Sequence, residues 1–244
     1  MPPELADPAF SAPALVLVGL ITAYLILVEP LWGKRVFEVL ERDRDTDPGA
    51  YVRFFGIGMA VFWGLTGLTA LAVLLSPGVE WAHLGLHGEI DWGTFAGILV
   101  GFAAAAVVFT LLARRKAAPA SPALDPILPR TARERRCAVA TSVTAGVCEE
   151  IIFRGLLIAV GVSLGLPLYV AAGLALAVFT FAHLYQGAKN LLFVGLIGFA
   201  LTYLYLSTGN LIVPIIVHVL VDLRALLLTP RPEPQKSGPP TPAV

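Results

Sequence analysis

Charge is what this sequence has least of. Only 14% of its residues are Asp, Glu, Lys or Arg, against about 25% in a typical soluble chain. The two signs balance to a net charge of zero, so bulk charge points to no nucleic acid and no acidic partner. Cysteine is scarce too. Cys137 and Cys148 form neither a CxxC pair nor a zinc-type spacing. A disulfide framework and a zinc knuckle are therefore excluded, and both residues are expected as small buried side chains. No basic residue precedes the first apolar run, MPPELADPAFSAPALVLVGL. A secretory signal has a positive first region, so this run is expected to be a retained helix. The C-terminal SGPPTPAV offers no lipidation cysteine.

What is abundant is apolar. Hydrophobic residues make up 57% of the 244, and the mean hydropathy is +0.80. This composition predicts an all-α polytopic membrane protein. A span needs about 20 apolar residues. Seven stretches approach that length: 12–32, 54–75, 93–113, 138–160, 168–185, 190–207 and 211–228. Lys and Arg fall almost entirely between alternate spans, at 34–53, 114–136, 189 and 224–236. Segments 1–11, 76–92, 161–167 and 208–210 contain none. The positive-inside rule then puts the N-terminus outside and the C-terminus in the cytoplasm. Residues 117–130 are Pro-rich and read as a linker or interfacial loop. The Pro-rich tail 229–244 is expected to be a disordered cytoplasmic segment.

The chain divides into 1–130, whose spans are almost free of ionisable groups, and 131–228, whose spans carry nearly all of them. Glu29 is the exception, at the inner end of the first span. Each ionisable residue within a span marks a functional site by default, because burial of its charge costs upward of about 2.5 kcal/mol. In CEEIIFRG, Glu150 and Arg154 lie four apart and can pair on one helix face. Glu149 is turned by about 100° from Glu150 and has no obvious partner on its own helix. His183 stands in FTFAHLYQG. His218 and Asp222 repeat the four-residue spacing in IVPIIVHVLVD. If these converge, two carboxylates and two imidazoles are enough to activate a water and stabilise an oxyanion, or to hold a metal. Taken singly, Glu150–Arg154 reads as a structural ion pair, His183 as an interfacial histidine, and His218–Asp222 as an interhelical clamp. Gly155, Gly161, Gly165, Gly173, Gly187, Gly195 and Gly198 are expected to let helices approach closely.

EEIIFRG, then FTFAHLYQG, then TGNLIVPIIVHVLVD resembles the CAAX-protease and bacteriocin-processing family, also called CPBP or Abi-type intramembrane proteases. That family is defined by EExxxR, FxxxH and HxxxN/D on successive membrane helices. The likeness covers residues 135–225 and places the catalytic core in the last four spans, within 131–228. It implies that Glu149 and His183 activate the attacking water and that Glu150 and Arg154 are the supporting pair. It further implies that His218 helps stabilise the oxyanion, from a cavity open to the cytoplasm. The form of the motifs looks like the bacterial branch, which implies a bacterial inner membrane.

Asp222 stands where the prenyl-protein proteases have Asn. An ionised carboxylate cannot donate to an oxyanion. Asp222 is therefore protonated by burial, or it orients and charges His218, or it ligates a metal with His183 and His218. The second is favoured, since the spacing puts the carboxylate one turn from the imidazole. No cofactor is required on this reading. A divalent metal such as zinc is the alternative, with His183, His218, Glu149 and Asp222 as candidate ligands, although no HExxH is present. The expected activity is intramembrane endopeptidase cleavage of a peptide or membrane protein entering from the cytoplasmic side of the bilayer, with no nucleic-acid partner. The rivals are a catalytically silent scaffold or immunity protein of the same fold, and a proton-coupled transporter. Transporters usually carry paired repeats, and 1–130 has no site comparable to that of 131–228.

Overall fold

The computed structural model describes residues 7–87 and 122–229 throughout, and between them 92–93, 95–98, 100–101, 103–104 and 107. The expected tail beyond residue 229 and most of the span expected at 93–113 lie outside the described residues. The described residues form helices joined by short turns, with one isolated bridge between Ala9 and Gly78.

Helix α1 runs from Ala12 to Asp43. Ser11 caps it, its side chain accepting from the Ala14 amide. This helix is longer than the expected 12–32, because the basic stretch after Trp32 continues it instead of breaking it. It contains a wide π-turn over Tyr24–Val28. Pro30 follows at the second position of the resumed α-helix. Proline has no N–H to donate and crowds the carbonyl four residues back, and an inserted wide turn relieves that conflict. α2 spans Ala50–Leu74. α3 occupies 132–163 and is capped by the Thr131 hydroxyl, which accepts from the Glu134 amide. Its π-turn covers Glu150–Leu157. α4 is Leu168–Ala182, α5 is Ala188–Thr208 and α6 is Ile212–Leu228. Gly209, in the left-handed region at φ 66°, ends α5 and turns the chain into α6.

Three of these helices are long and apolar enough to cross a membrane: Ala12–Asp43, Ala50–Leu74 and Asn190–Thr208. α4 is apolar but shorter, and α6 has 17 residues. α3 is diluted by the charges of its first turns and its centre. The expected span at 168–185 ends earlier, at Ala182, and a single tight turn over Leu184–Gln186 carries the chain on.

α3 is the centre of the bundle. It packs along α6 and α2, and its π-turn meets α4. Gly146 allows the closest approach. A Cβ there would lie 2.5 Å from a Val219 methyl and 3.1 Å from the Ile215 carbonyl oxygen on α6. Gly198 similarly admits Leu176 and Phe179 of α4, at 2.8 and 2.9 Å from where its Cβ would be. Among the glycines expected at helix contacts, Gly155 and Gly161 are also tightly packed, whereas Gly165, Gly173 and Gly187 have open space on that side.

The loops sort into two groups. At one end Ala9, Phe10 and Ser11 bond to Gly78, Ser163 and Ser76, while Leu211 bonds to Gly85. At the other, Arg44 reaches Pro126, Leu128 and Glu134, and Arg130 pairs with Asp45 and Asp125. These are the same two sets of segments that the distribution of Lys and Arg separates.

Candidate active site

The central charged residues of α3 lie deep in the bundle, Glu150 and Arg154 on its π-turn and Glu149 just before it. Glu150 is fully buried and Arg154 is 1% exposed. Arg154 Nη1 donates to Glu150 Oε1 at 2.8 Å, and Nη2 donates to the Gly198 carbonyl at 3.1 Å. Its Nε faces the Thr202 hydroxyl, and its guanidinium lies 4.4 Å from the centre of the Phe179 ring. The arginine thus ties α3 to α4 and α5. It is a cation with four directions of support, so its burial is compensated.

His218 completes this group from α6. Its Nδ1 donates to the same Glu150 Oε1 at 2.7 Å. Its Nε2 lies 3.9 Å from Asp222 Oδ2, beyond hydrogen-bond range. The expectation that Asp222 orients His218 is therefore revised, since the orienting hydrogen bond comes from Glu150. The reason is tertiary. One turn of α6 brings the Asp222 carboxylate near the imidazole edge, but the packing of α6 on α3 puts Glu150 directly on Nδ1.

Glu149 faces elsewhere. It is 6% exposed, and its Oε2 is buried with no hydrogen-bond partner in the protein. That oxygen is 3.8 Å from His183 Nε2. His183 caps the C-terminal end of α4, and its Nδ1 bonds to the Phe179 carbonyl at 2.8 Å. A carbonyl only accepts, so Nδ1 carries a proton. In the neutral ring Nε2 then presents its lone pair toward Glu149. The Tyr185 ring stacks on His183, with centroids 6.2 Å apart.

The six expected site residues, Glu149, Glu150, Arg154, His183, His218 and Asp222, therefore sit in one region. They form two linked parts. Glu150, Arg154 and His218 are hydrogen-bonded together, while Glu149 and His183 approach without bonding. Asp222 is the most open of them, with 30% of its side chain exposed. Among the described residues, no three His, Cys, Asp or Glu side chains are grouped so as to hold a metal ion.

Glu29 of α1, at the inner end of an otherwise uncharged span, has a buried Oε2 with no hydrogen-bond partner in the protein.

A buried charged centre enclosed by apolar helices, three of them long enough to cross a bilayer, fits an integral membrane enzyme. Residues 135–224 match the family model described as Rce1-like, type II CAAX prenyl endopeptidase. The matched segment is somewhat over a third of the chain, and the family that the model describes is one of proteases. No curated protein and no solved structure shows significant similarity to the chain.

Proposed function

We propose that the protein is an intramembrane endopeptidase that hydrolyses a peptide bond with a water activated by Glu149 and His183. The observation that carries this reading is the Glu149–His183 pair. Its 3.8 Å separation exceeds a direct hydrogen bond, which ends near 3.2 Å. It is short enough for one water to touch both groups. Glu149 Oε2 has no competing partner, so it is available to take a proton.

In the proposed reaction the water oxygen attacks the carbonyl carbon while Glu149 accepts a water proton. His183, held by Phe179, orients the water through Nε2. His218 is fixed by Glu150 and, as an imidazolium, presents Nε2–H to the developing oxyanion. Glu149 then returns its proton to the leaving nitrogen as the C–N bond breaks. Arg154 holds Glu150, and hence His218, in place. Asp222 compensates the charge on His218 from the more open side. No cofactor enters this scheme. The family match supports a substrate that is a peptide or membrane protein. The grouping of Lys and Arg supports an N-terminus outside and a C-terminus in the cytoplasm, and the resemblance of the motifs to the bacterial branch supports a bacterial inner membrane with substrate entering from the cytoplasmic side.

The test is cleavage of a panel of peptides by protein purified in detergent, with Glu149→Ala as the control. Cleavage by the wild type alone is expected. Equal cleavage by both, or by neither, would sink the reading. The non-catalytic scaffold of the same fold is the outcome if a cellular phenotype survives joint loss of Glu149 and His183.

A further inference from the structure

To orient a water, His183 needs a fixed ring plane, and one hydrogen bond does not supply it. The bond from Nδ1 to the Phe179 carbonyl holds one atom of the ring, at 2.8 Å. Rotation of an imidazole about its last side-chain bond is broad, so a ring held at one nitrogen can still swing the other. That other atom, Nε2, is the one 3.8 Å from Glu149 Oε2. The backbone gives little help, because His183 is the C-cap on which α4 ends, at φ −91° and ψ 9°.

Two aromatic rings provide the missing constraint. Phe179, one turn back on α4, lies 4.7 Å from the imidazole centroid at 44°. It is itself buried, with Phe153 at 5.1 Å and the Arg154 guanidinium at 4.4 Å. Tyr185 lies 6.2 Å from the imidazole at only 24°, a near-parallel stack within the usual range for ring pairs. Its hydroxyl accepts from Gln186 Nε2 at 3.2 Å, a bond within the same turn that cannot hold the turn in place. Tertiary support comes from α1, whose Glu29–Asp43 part packs on the Leu184–Gln186 turn. Gly33, which is buried, is the point of contact. A Cβ there would lie 3.2 Å from Tyr185 Cδ1 and 3.4 Å from Cγ. The Tyr185 ring is thus seated against bare helix backbone. A methyl group at Gly33 would make the ring give by a few tenths of an ångström, and a branched side chain would move it further.

We propose that Tyr185 is a positioning residue that sets the ring plane of His183, and with it the direction of Nε2, and that Gly33 of α1 seats Tyr185 for this task. The role rests on the peptidase reading. It gives a helix outside the matched segment 135–224 a part in the active centre besides anchoring.

The test uses the full chain in detergent, with Tyr185→Leu, Tyr185→Phe, Gly33→Ala and Gly33→Val assayed beside the wild type and Glu149→Ala. Tyr185→Leu removes the flat face and is expected to lower kcat by about tenfold or more with KM within about twofold, as for a misplaced catalytic group. Tyr185→Phe keeps the ring and is expected to retain most of the rate. Gly33→Val is expected to lower kcat in the same way as Tyr185→Leu, and Gly33→Ala by less. Gly33→Val combined with Tyr185→Leu is expected to be no slower than Tyr185→Leu alone, because both act through one ring. Wild-type kcat in Tyr185→Leu or in Gly33→Val would overturn the proposal while leaving the peptidase reading intact. So would losses that multiply in the double variant, a Phe variant as slow as Leu, or a change confined to KM, which would make Tyr185 a substrate contact. Absence of cleavage by the wild type, or cleavage by Glu149→Ala at the wild-type rate, overturns the peptidase reading and this role with it. If Gly33→Val fails to fold, the two Tyr185 variants decide.

Discussion

Among the described residues two glutamate–arginine pairs are buried, and they are built differently. In Arg44–Glu134, at the end of the bundle where α1 meets the start of α3, both carboxylate oxygens are used. Arg44 Nη1 and Nη2 donate to Oε1 and Oε2 at 3.0 and 2.8 Å, and the Arg130 amide also donates to Oε2. The guanidinium is completed by the Pro126 and Leu128 carbonyls. In Glu150–Arg154 one oxygen, Oε1, receives both the arginine and His218, while Oε2 has no partner. The adjacent residue, Glu149, also leaves an oxygen bare. A fully bonded pair is a joint that holds a loop to a helix. An incompletely bonded one retains acceptor capacity at a cost in stability, as expected where chemistry is done.

The largest effect that tests this contrast is on activity. Glu149→Ala is expected to lower kcat/KM by about 10²–10⁴-fold, the usual share of a general base. It should leave thermal stability unchanged or slightly raised, because it removes a buried acceptor that has no donor. A marked fall in the unfolding midpoint would instead make Glu149 structural. Next is Arg154→Ala, which leaves Glu150 buried without its cation and is expected to destabilise by about 3–5 kcal/mol. Denaturant unfolding in mixed micelles measures it, and loss of activity should accompany it through His218. Arg44→Ala is expected to be comparably destabilising by the same physics. Its folded fraction, however, should cleave at the wild-type rate, and unequal rates would show that the two pairs are not separate. Gly146→Val overpacks the α3–α6 contact and is expected to cost about 1–3 kcal/mol, read as a lowered midpoint.

The smallest effect concerns pH. Burial alone would push the Glu134 carboxyl up, but the Arg44 guanidinium and the Arg130 amide hold it below its ordinary 4.5. Its folded value is thus lower than its unfolded one. The stability it contributes is complete above 4.5 and is lost as pH falls through the folded value. Glu134→Gln is expected to flatten the acid limb of the stability profile. An unchanged acid limb would mean that the pair is open in solution.

The site was legible in the sequence to the extent that burial of charge is legible. Glu149, Glu150, Arg154, His183, His218 and Asp222 stand out because each interrupts an apolar run. The partners of each were not legible. Spacing gave His218 a neighbour one turn away in Asp222, yet its hydrogen bond crosses to Glu150 on another helix. Glu29 was visible as a lone charge, but nothing along the chain says that α1 packs on the turn that follows His183. Gly146, the tightest helix contact, sits among small polar residues that give it no prominence.

The amino-acid sequence by itself determined the helices, the division into a nearly uncharged half and a charged half, and the residues available for chemistry. Those follow from local hydropathy and from the cost of burying charge, which act residue by residue. Tertiary structure alone decided which carboxylate is bonded and which is bare, and which imidazole faces which. It also decided that a helix from the first half packs on the turn that follows His183. Hydrogen bonds between helices depend on rotation and depth, and these are set by packing at points such as Gly146 and Gly33 and by the wide turns before Pro30 and through Arg154.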